Sequence, residues 1–256
     1  MSVEAPDECH DAVMTIEGST EGGHRAPLAA SDGGDLAIII PLWRRVAHIT
    51  RVYESALAST PHARIVFVAS EGDHAVTDAL SRSDVPFTTI AGDGGGVGDY
   101  ATKINAGYRA TSEPWLFTGA DDLRFHSGWH ETARTTAQHQ PEVGVVGTAD
   151  LGDARTMNGT HSTHSLVARW YADAGGSVDA DHQIYHEGYA HWFCDDELIQ
   201  TARARGAYVH APDAVVEHLH VRVGKSPDDA TYERGRATAR LSQRRFQQRR
   251  VLWQLP

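Results

Sequence analysis

Leu36-Ala37-Ile38-Ile39-Ile40-Pro41 is followed by a second run of the same kind, Arg64-Ile65-Val66-Phe67-Val68-Ala69. Both are continuous apolar stretches rich in β-branched residues, the pattern of strands buried on both faces rather than one. Between them Val46, Ile49, Tyr53, Ala56 and Leu57 recur at helical spacing and stop before Pro61. The alternation continues outward. A short helix is expected over Ala75–Leu80, a strand over Phe87–Ala91, a helix over Tyr100–Ala110 and a strand over Trp115–Thr118. Ser127 offers a cap for a helix through Gln138, and Val143–Thr148 reads as the next strand. Helices over Leu166–Ala174 and Asp195–Arg205 and a strand over Tyr208–His220 complete the order. This succession predicts an α/β fold with a mostly parallel sheet and helices on both faces. The ligand crevice of such a sheet lies beyond the carboxyl ends of its strands, here after Pro41, Ala69, Ala91 and Thr118.

Composition bounds the rest. The chain has 256 residues, 41% hydrophobic and 22% charged, which fits a globular domain with appendages. Lys+Arg 23 against Asp+Glu 34 leaves −11, which argues against a general polyanion binder. Cys9 and Cys194 are too few for a disulfide scaffold or a Cys-rich zinc site. The run Leu36–Leu42 is far shorter than the ~20 residues of a membrane span, and Met1–His10 carries acids and no basic signal region. A soluble, cytoplasmic protein is expected. Residues 1–34 read as a disordered acidic tail, with Glu4, Asp7, Glu8, Asp11, Glu17, Glu21 and Asp32 against Arg25. Residues 226–256 have the opposite bias, with Arg234, Arg236, Arg240, Arg244, Arg245, Arg249 and Arg250 beside Leu241, Phe246, Leu252 and Trp253. A docked amphipathic helix is the first expectation there, ahead of a phosphate- or nucleic-acid-binding arm.

Several residue groups carry chemistry. Asp121 and Asp122 follow a buried strand, where adjacent carboxylates repel unless a cation or donors separate them. Hard oxygens in that position suit Mg²⁺ or Mn²⁺. Asp195-Asp196-Glu197 opens a helix, where the dipole favours acids, but three exceed what capping needs. Glu217-His218-Leu219-His220 closes a strand with both imidazoles on one face. His161 and His164 form a loop group, and His182 and His186 are spaced to share a helix face without an HExxH arrangement. Gly92–Gly98 fails as a phosphate loop, because Asp99 stands where a Lys-Ser/Thr pair is needed, and reads as a flexible crossover.

Taken in order, these pieces resemble the family-2-type glycosyltransferases of the GT-A fold, a three-layer α/β architecture, across about 36–232. Ile38-Ile39-Ile40-Pro41 with Arg44 is similar to the family's first strand and nucleotide loop. Ser70-Glu71-Gly72-Asp73 is similar to its base-contacting turn, Lys103-Ile104-Asn105-Ala106-Gly107 to its donor-side helix, and Trp115–Asp122 to the strand entering DxD. Cys194-Asp195-Asp196-Glu197-Leu198 is similar to the acceptor motif, and His218 and His220 to the late metal-binding histidine. Gly128-Trp129, the His-x-His and Asp229-x-x-Tyr232 further resemble compact phage-encoded members, which implies a host-cytoplasm location. Gly119 stands where the family has its first DxD carboxylate.

The resemblance implies a GT-A domain over 35–225 followed by an arginine-rich helical segment over 226–256. It implies metal-dependent, inverting transfer of a sugar from a nucleotide diphosphate, a UDP-sugar first, to an acceptor hydroxyl on a polysaccharide, a protein or a modified nucleic acid. Asp121, His218 and His220 would hold Mn²⁺ or Mg²⁺. Pro41, Arg44, Glu71, Asp73, Lys103, Asn105 and Asp122 would face the donor, and Asp195 or Asp196 would take the acceptor proton. A metal-dependent hydrolase on the same residues and a noncatalytic nucleotide-sugar module are the alternatives. Removing Asp121 is expected to relieve repulsion and to leave the fold as stable as before or more so.

Overall fold

The computed structural model describes residues 34–177 and 179–253; the acidic segment, apart from Gly34, lies outside them. The strands are β1 (Leu36–Pro41), β2 (Arg64–Ser70), β3 (Phe87–Ile90), β4 (Trp115–Thr118), β5 (Leu123–Phe125), β6 (Val145–Ala149), β7 (Ser165–Ala168) and β8 (Tyr208–His218). The helices are α1 (Ile49–Ser59), α2 (His74–Arg82), α3 (Asp99–Arg109), α4 (Trp129–Gln138), α5 (Ala154–Met157), α6 (Arg169–Asp173), α7 (Cys194–Ala204) and α8 (Ala230–Arg249). One eight-stranded sheet runs β3-β2-β1-β4-β7-β6-β8-β5. The β1–β2, β1–β4, β2–β3 and β6–β8 ladders are parallel, while β7 and β5 pair antiparallel to their neighbours.

Strand alternation builds two cores. Leu36, Ile38 and Ile40 face one way, against Val52 of α1, Leu80 of α2 and Trp129 of α4. Ala37 and Ile39 face the other, against Ile104 of α3, Tyr171 of α6 and Leu198 of α7. Three layers result. In the Lys103-x-Asn105-x-Gly107 stretch, a Cβ at Gly107 would stand 2.3 Å from Cγ2 of Ile39, so the glycine lets α3 lie directly on β1.

The expected helix over Leu166–Ala174 divides. Its first part is β7, threaded between β4 and β6, and only Arg169–Asp173 is helical. Leu166 enters one core and Val167 the other, so this apolar run is a strand buried on both faces, which so short a run cannot announce by periodicity. Short β5 was not expected, and His182 and His186 lie in a connection without helix. The arginine-rich segment forms α8, with its C-terminal turn anchored where Arg249 pairs with buried Glu197 at 2.7 Å and with Asp179. No helix among the described residues is long and apolar enough to cross a membrane.

Candidate active site

The chain leaving β1 turns sharply at Arg44, which has φ 60°. Its backbone N–H donates to Asp73 Oδ2 at 2.7 Å, which holds the turn. The turn sends Arg44 over the Trp43 ring and Arg45 into the protein. Arg45 Nη1 donates to Asp121 at 2.8 Å and to Asp122 at 3.2 Å, while Nε and Nη2 grip Asp229 at 2.8 and 3.0 Å. The guanidinium also lies over the Tyr232 ring, 4.2 Å from its centroid. One arginine thus ties the β1 loop, the end of β4 and the start of α8 together.

Asp121 and Asp122 are 6% and 3% exposed, which makes their charge costly without partners. Besides Arg45, Asp122 accepts from Tyr232 Oη at 2.8 Å and pairs with His218 Nε2 at 3.1 Å. Burial alone would raise the Asp122 pKa; His218, Arg45 and Tyr232 overcome that and hold it well below the usual carboxylate range. Burial works against charge on His218 as well, yet Asp122 leaves its pKa raised. His220 stacks edge-on between His218 and Tyr232 and accepts from the Arg222 backbone N–H through Nδ1. Burial, helped by His218, lowers the His220 pKa to about 4. The neutral ring with Nδ1 accepting carries its proton on Nε2, which suits it to donating rather than ligating. Gly119 cannot simply regain a side chain, since a Cβ there would meet the Ile39 carbonyl oxygen at 2.6 Å.

The second acidic group opens α7. His161, 4% exposed, lies between its first two acids, Nε2 at 3.2 Å from Asp195 and Nδ1 at 3.5 Å from Asp196. Burial disfavours the imidazolium, but the two carboxylates raise the His161 pKa regardless. Asp195, whose burial is outweighed by its hydrogen bond to His161, is held low. Asp196 is pushed up to about 6, first by burial and then by the charge of Asp195. Glu197 points elsewhere: it is fully buried, accepts from Tyr189 Oη at 2.6 Å and pairs with Arg249. The three consecutive acids therefore divide, two at the site and one in the framework.

Between the groups lies His164. Its Nδ1 is 2.7 Å from the Thr118 carbonyl oxygen, which requires a proton on that nitrogen. Its buried Nε2 has no partner among the described residues. Burial first and His218 second depress its pKa to about 4, so the ring is neutral with a lone pair on Nε2.

These groups line one cavity of about 690 Å³ at the carboxyl end of the sheet, within the range of small-molecule sites. Pro41, Asp121, Asp122, Asp195, Asp196, His218 and His220 all face it, together with Arg45, His161, His164 and Tyr232. Arg44, Glu71, Asp73, Lys103 and Asn105 are not in its wall. Asp73 caps α2, and Glu71 is exposed at the end of β2. Lys103 is buried with Nζ on the Leu42 carbonyl at 2.6 Å and on Asp99 at 2.9 Å; burial lowers its pKa against the pull of Asp99. Asn105 holds the segment behind the cavity, accepting from the Ile184 and Tyr185 backbone and donating to the Tyr185 carbonyl and Glu187. Gly95 and Gly96 bring the glycine-rich crossover to the rim.

Sequence reasoning missed Arg45, whose neighbour Arg44 carried the resemblance. It grouped His161 with His164 without seeing that α7 would meet the first. Asp229-x-x-Tyr232 was the one visible sign that α8 reaches the carboxylates.

No protein-family profile matches the sequence, and no curated protein does. Solved structures do match. A mannosyltransferase from Pyrobaculum calidifontis, solved with GDP-Man and Mn²⁺, superposes with a TM-score of 0.53 at 14% identity. The alignment covers 75% of this chain but only 59% of that one. Glucosyl-3-phosphoglycerate synthase from Mycobacterium tuberculosis, solved with Mn²⁺ and UDP-glucose, gives 0.54 at 14% identity over 86% of this chain and 80% of that one. TarS 1–349 of S. aureus gives 0.53 at 9% identity over 83% and 72%. This is the GT-A glycosyltransferase fold. In this chain the strand end carrying Asp121-Asp122 and the helix start carrying Asp195-Asp196 line the same cavity.

Proposed function

We propose that this chain transfers a glycosyl group from a nucleotide-diphosphate sugar to an acceptor hydroxyl. The observation that carries the reading is the pair of differently tuned aspartate dyads facing one cavity of a GT-A sheet. Solved proteins of this fold include complexes with GDP-Man and with UDP-glucose, each with Mn²⁺, which supports a nucleotide-sugar donor here, a UDP-sugar first.

The donor side is Asp121, Asp122, His218 and His220. Three carboxylates, with Asp229, surround a single permanent cation, Arg45. That leaves excess negative charge which an anionic diphosphate would not enter unaided. Two carboxylates and an imidazole are a fitting donor set for Mn²⁺ or Mg²⁺, and Asp121, Asp122 and His218 are the residues that would hold the ion. When bound, it would neutralise charge developing on the leaving diphosphate. Arg45 Nη1 contacts both carboxylates, and its bidentate grip on Asp229 would keep the guanidinium paired if those contacts were given up. His220 offers an Nε2 proton to a phosphate oxygen.

On the acceptor side, Asp195 and Asp196 with His161 receive the hydroxyl proton. A general base works best with a pKa near the working pH, which the value of about 6 at Asp196 approaches. Asp195 holds His161 in place. Attack across the cavity from this side on a sugar anchored at Asp121–Asp122 inverts the anomeric centre.

Thermal shift with UDP-glucose or GDP-mannose, each with and without Mn²⁺, tests the reading, followed by nucleotide release over a panel of hydroxyl acceptors. A shift needing nucleotide and metal together, with release stimulated by an acceptor, is expected. Absence of any shift with either nucleotide sugar would exclude donor binding, and release that no acceptor accelerates would favour hydrolysis.

A further inference from the structure

The amino end of the sheet, away from the cavity, carries a second group of metal-competent side chains. Asp35 immediately precedes β1, His62 stands in the turn before β2, and His130 lies in the first turn of α4. One donor atom from each of the three lies within 4.8 Å of the other two. The six residues of β1 separate Asp35 from the cavity-lining Leu42, a rise of roughly 20 Å, so this group shares nothing with the proposed chemistry.

We infer that Asp35, His62 and His130 form a site for a divalent transition-metal ion, zinc first. Three features of the structure support it. His130 is 3% exposed and its Nε2 has no hydrogen-bond partner among the described residues. An orphaned buried nitrogen is destabilising, and a bound ion is the kind of partner that removes the cost. His62 and Asp35 also converge on the His130 ring, one at each of its nitrogens. His62 Nε2 is 3.3 Å from His130 Nδ1, and Asp35 Oδ1 is 4.0 Å from His130 Nε2. The second separation is too long for a hydrogen bond, and donors at about 2.0–2.2 Å from one tetrahedral zinc lie roughly 3.3–3.6 Å apart, so Asp35 would close in by about half an ångström. His130 would use one of its nitrogens, with a small ring rotation bringing the chosen atom to the ion.

The third feature is support around the ligands. Arg134, one turn along α4 and stacked on Trp115, holds Asp35 Oδ2 at 3.3 Å and leaves Oδ1 facing His130. The Trp115 backbone N–H donates to the Asp35 carbonyl at 3.0 Å, fixing the chain as it enters β1. Metal ligands are commonly oriented by such outer contacts. His62 is exposed and gives the ion a way in, with water completing the shell. Two imidazoles and one carboxylate are a borderline donor set, which suits zinc and not calcium or magnesium. Bound there, the ion would join the start of β1, the turn before β2 and α4.

The test uses the full chain, stripped with EDTA and titrated with ZnCl₂ calorimetrically, alongside His62→Ala, Asp35→Asn and, as a control in the other acidic group, His161→Asn. Wild type and His161→Asn should share one Zn²⁺ equivalent that His62→Ala and Asp35→Asn lack or bind at least about tenfold more weakly. Zn²⁺ should raise the wild-type melting temperature more than that of His62→Ala. His62 is exposed, so its variant should fold, and the metal-free melting temperature checks this; His62→Gln is the second variant should it not. Co²⁺ should give an intense visible spectrum in wild type that His62→Ala loses. Equal stoichiometry and equal melting shifts in wild type and His62→Ala would overturn the site, as would no Zn²⁺ binding by any form. Neither result bears on glycosyl transfer, in which His62 has no part.

Discussion

The molecule contains the dipeptide Asp-Asp twice at its cavity, and the two copies have opposite electrostatics. Asp121-Asp122 follows a strand and meets a guanidinium, a tyrosine hydroxyl and an imidazole, so Asp122 is locked in its charged form. Asp195-Asp196 opens a helix and shares one imidazole, which favours Asp195 and leaves Asp196 raised to about 6. The first pair is built to hold positive charge, and the second to accept a proton. Partners that arrive from distant parts of the chain make the difference: Arg45 from the turn after β1, Tyr232 from α8 and His161 from the loop before β7. An adjacent pair of acids therefore says where chemistry can occur, and its partners say which chemistry.

The largest expected effect breaks the proton-accepting pair. Asparagine keeps the shape but cannot accept a proton at neutral pH. Asp196→Asn should lower turnover by about 10²–10⁴-fold with donor affinity nearly unchanged. Wild-type activity should climb as pH rises through about 6, as Asp196 ionises, and the variant should lose that limb. Asp195→Asn should also lose turnover, because His161 is released from its stronger partner. Normal turnover by both variants would place the base outside α7.

Next comes Asp121→Ala, where the structure reverses the expectation drawn from crowding alone. Asp121 is the 2.8 Å partner of Arg45, itself 7% exposed. Removing one member of a buried pair commonly costs about 3–5 kcal/mol. Arg45 keeps Asp122 and Asp229, so a loss of about 2 kcal/mol is expected in metal-free denaturant titrations. An unchanged or raised midpoint would show that repulsion between the carboxylates outweighs the arginine, returning the pair to what its sequence suggests.

The fold was largely legible because β1, β2 and the helix between them follow burial patterns that local sequence carries. Segment Leu166–Ala168 was not, since three apolar residues fit a helix or a strand equally and only its neighbours β4 and β6 decide. In the site, Asp121, Asp122, Asp195, Asp196, His218 and His220 could be named because strand ends and helix starts are visible in sequence. Lys103 and Asn105 were also visible but line no part of the cavity; both are buried and spend their hydrogen bonds on the Leu42 and Tyr185 carbonyls and on the acids Asp99 and Glu187. Arg45 was hidden by a turn with positive φ, which decides whether Arg44 or Arg45 points inward. The pairing of Glu197 with Arg249 joins residues 52 apart and follows from where α8 docks, which no local pattern records.

The smallest effect sharpens the comparison through stability. In the folded chain Asp196 titrates near 6, against 3.8 for the ordinary carboxyl. Between those values the folded state binds more protons than the unfolded one, so stability falls as pH rises through this window. Above about pH 6 the whole penalty of ionising Asp196 is present. A shift near two units corresponds to about 3 kcal/mol, and the partial exposure of the side chain brings this to roughly 1–3 kcal/mol. Asp196→Asn removes that penalty. It should therefore raise the urea midpoint at pH 7.5 and lose most of the advantage at pH 4, where wild-type Asp196 is protonated. Asp195→Asn should do the reverse, because Asp195 has its pKa lowered by His161 and contributes stability at neutral pH. If both asparagine variants shift the midpoint in the same direction at pH 7.5, the two acids are not differently tuned, and the contrast with Asp121-Asp122 rests on position alone.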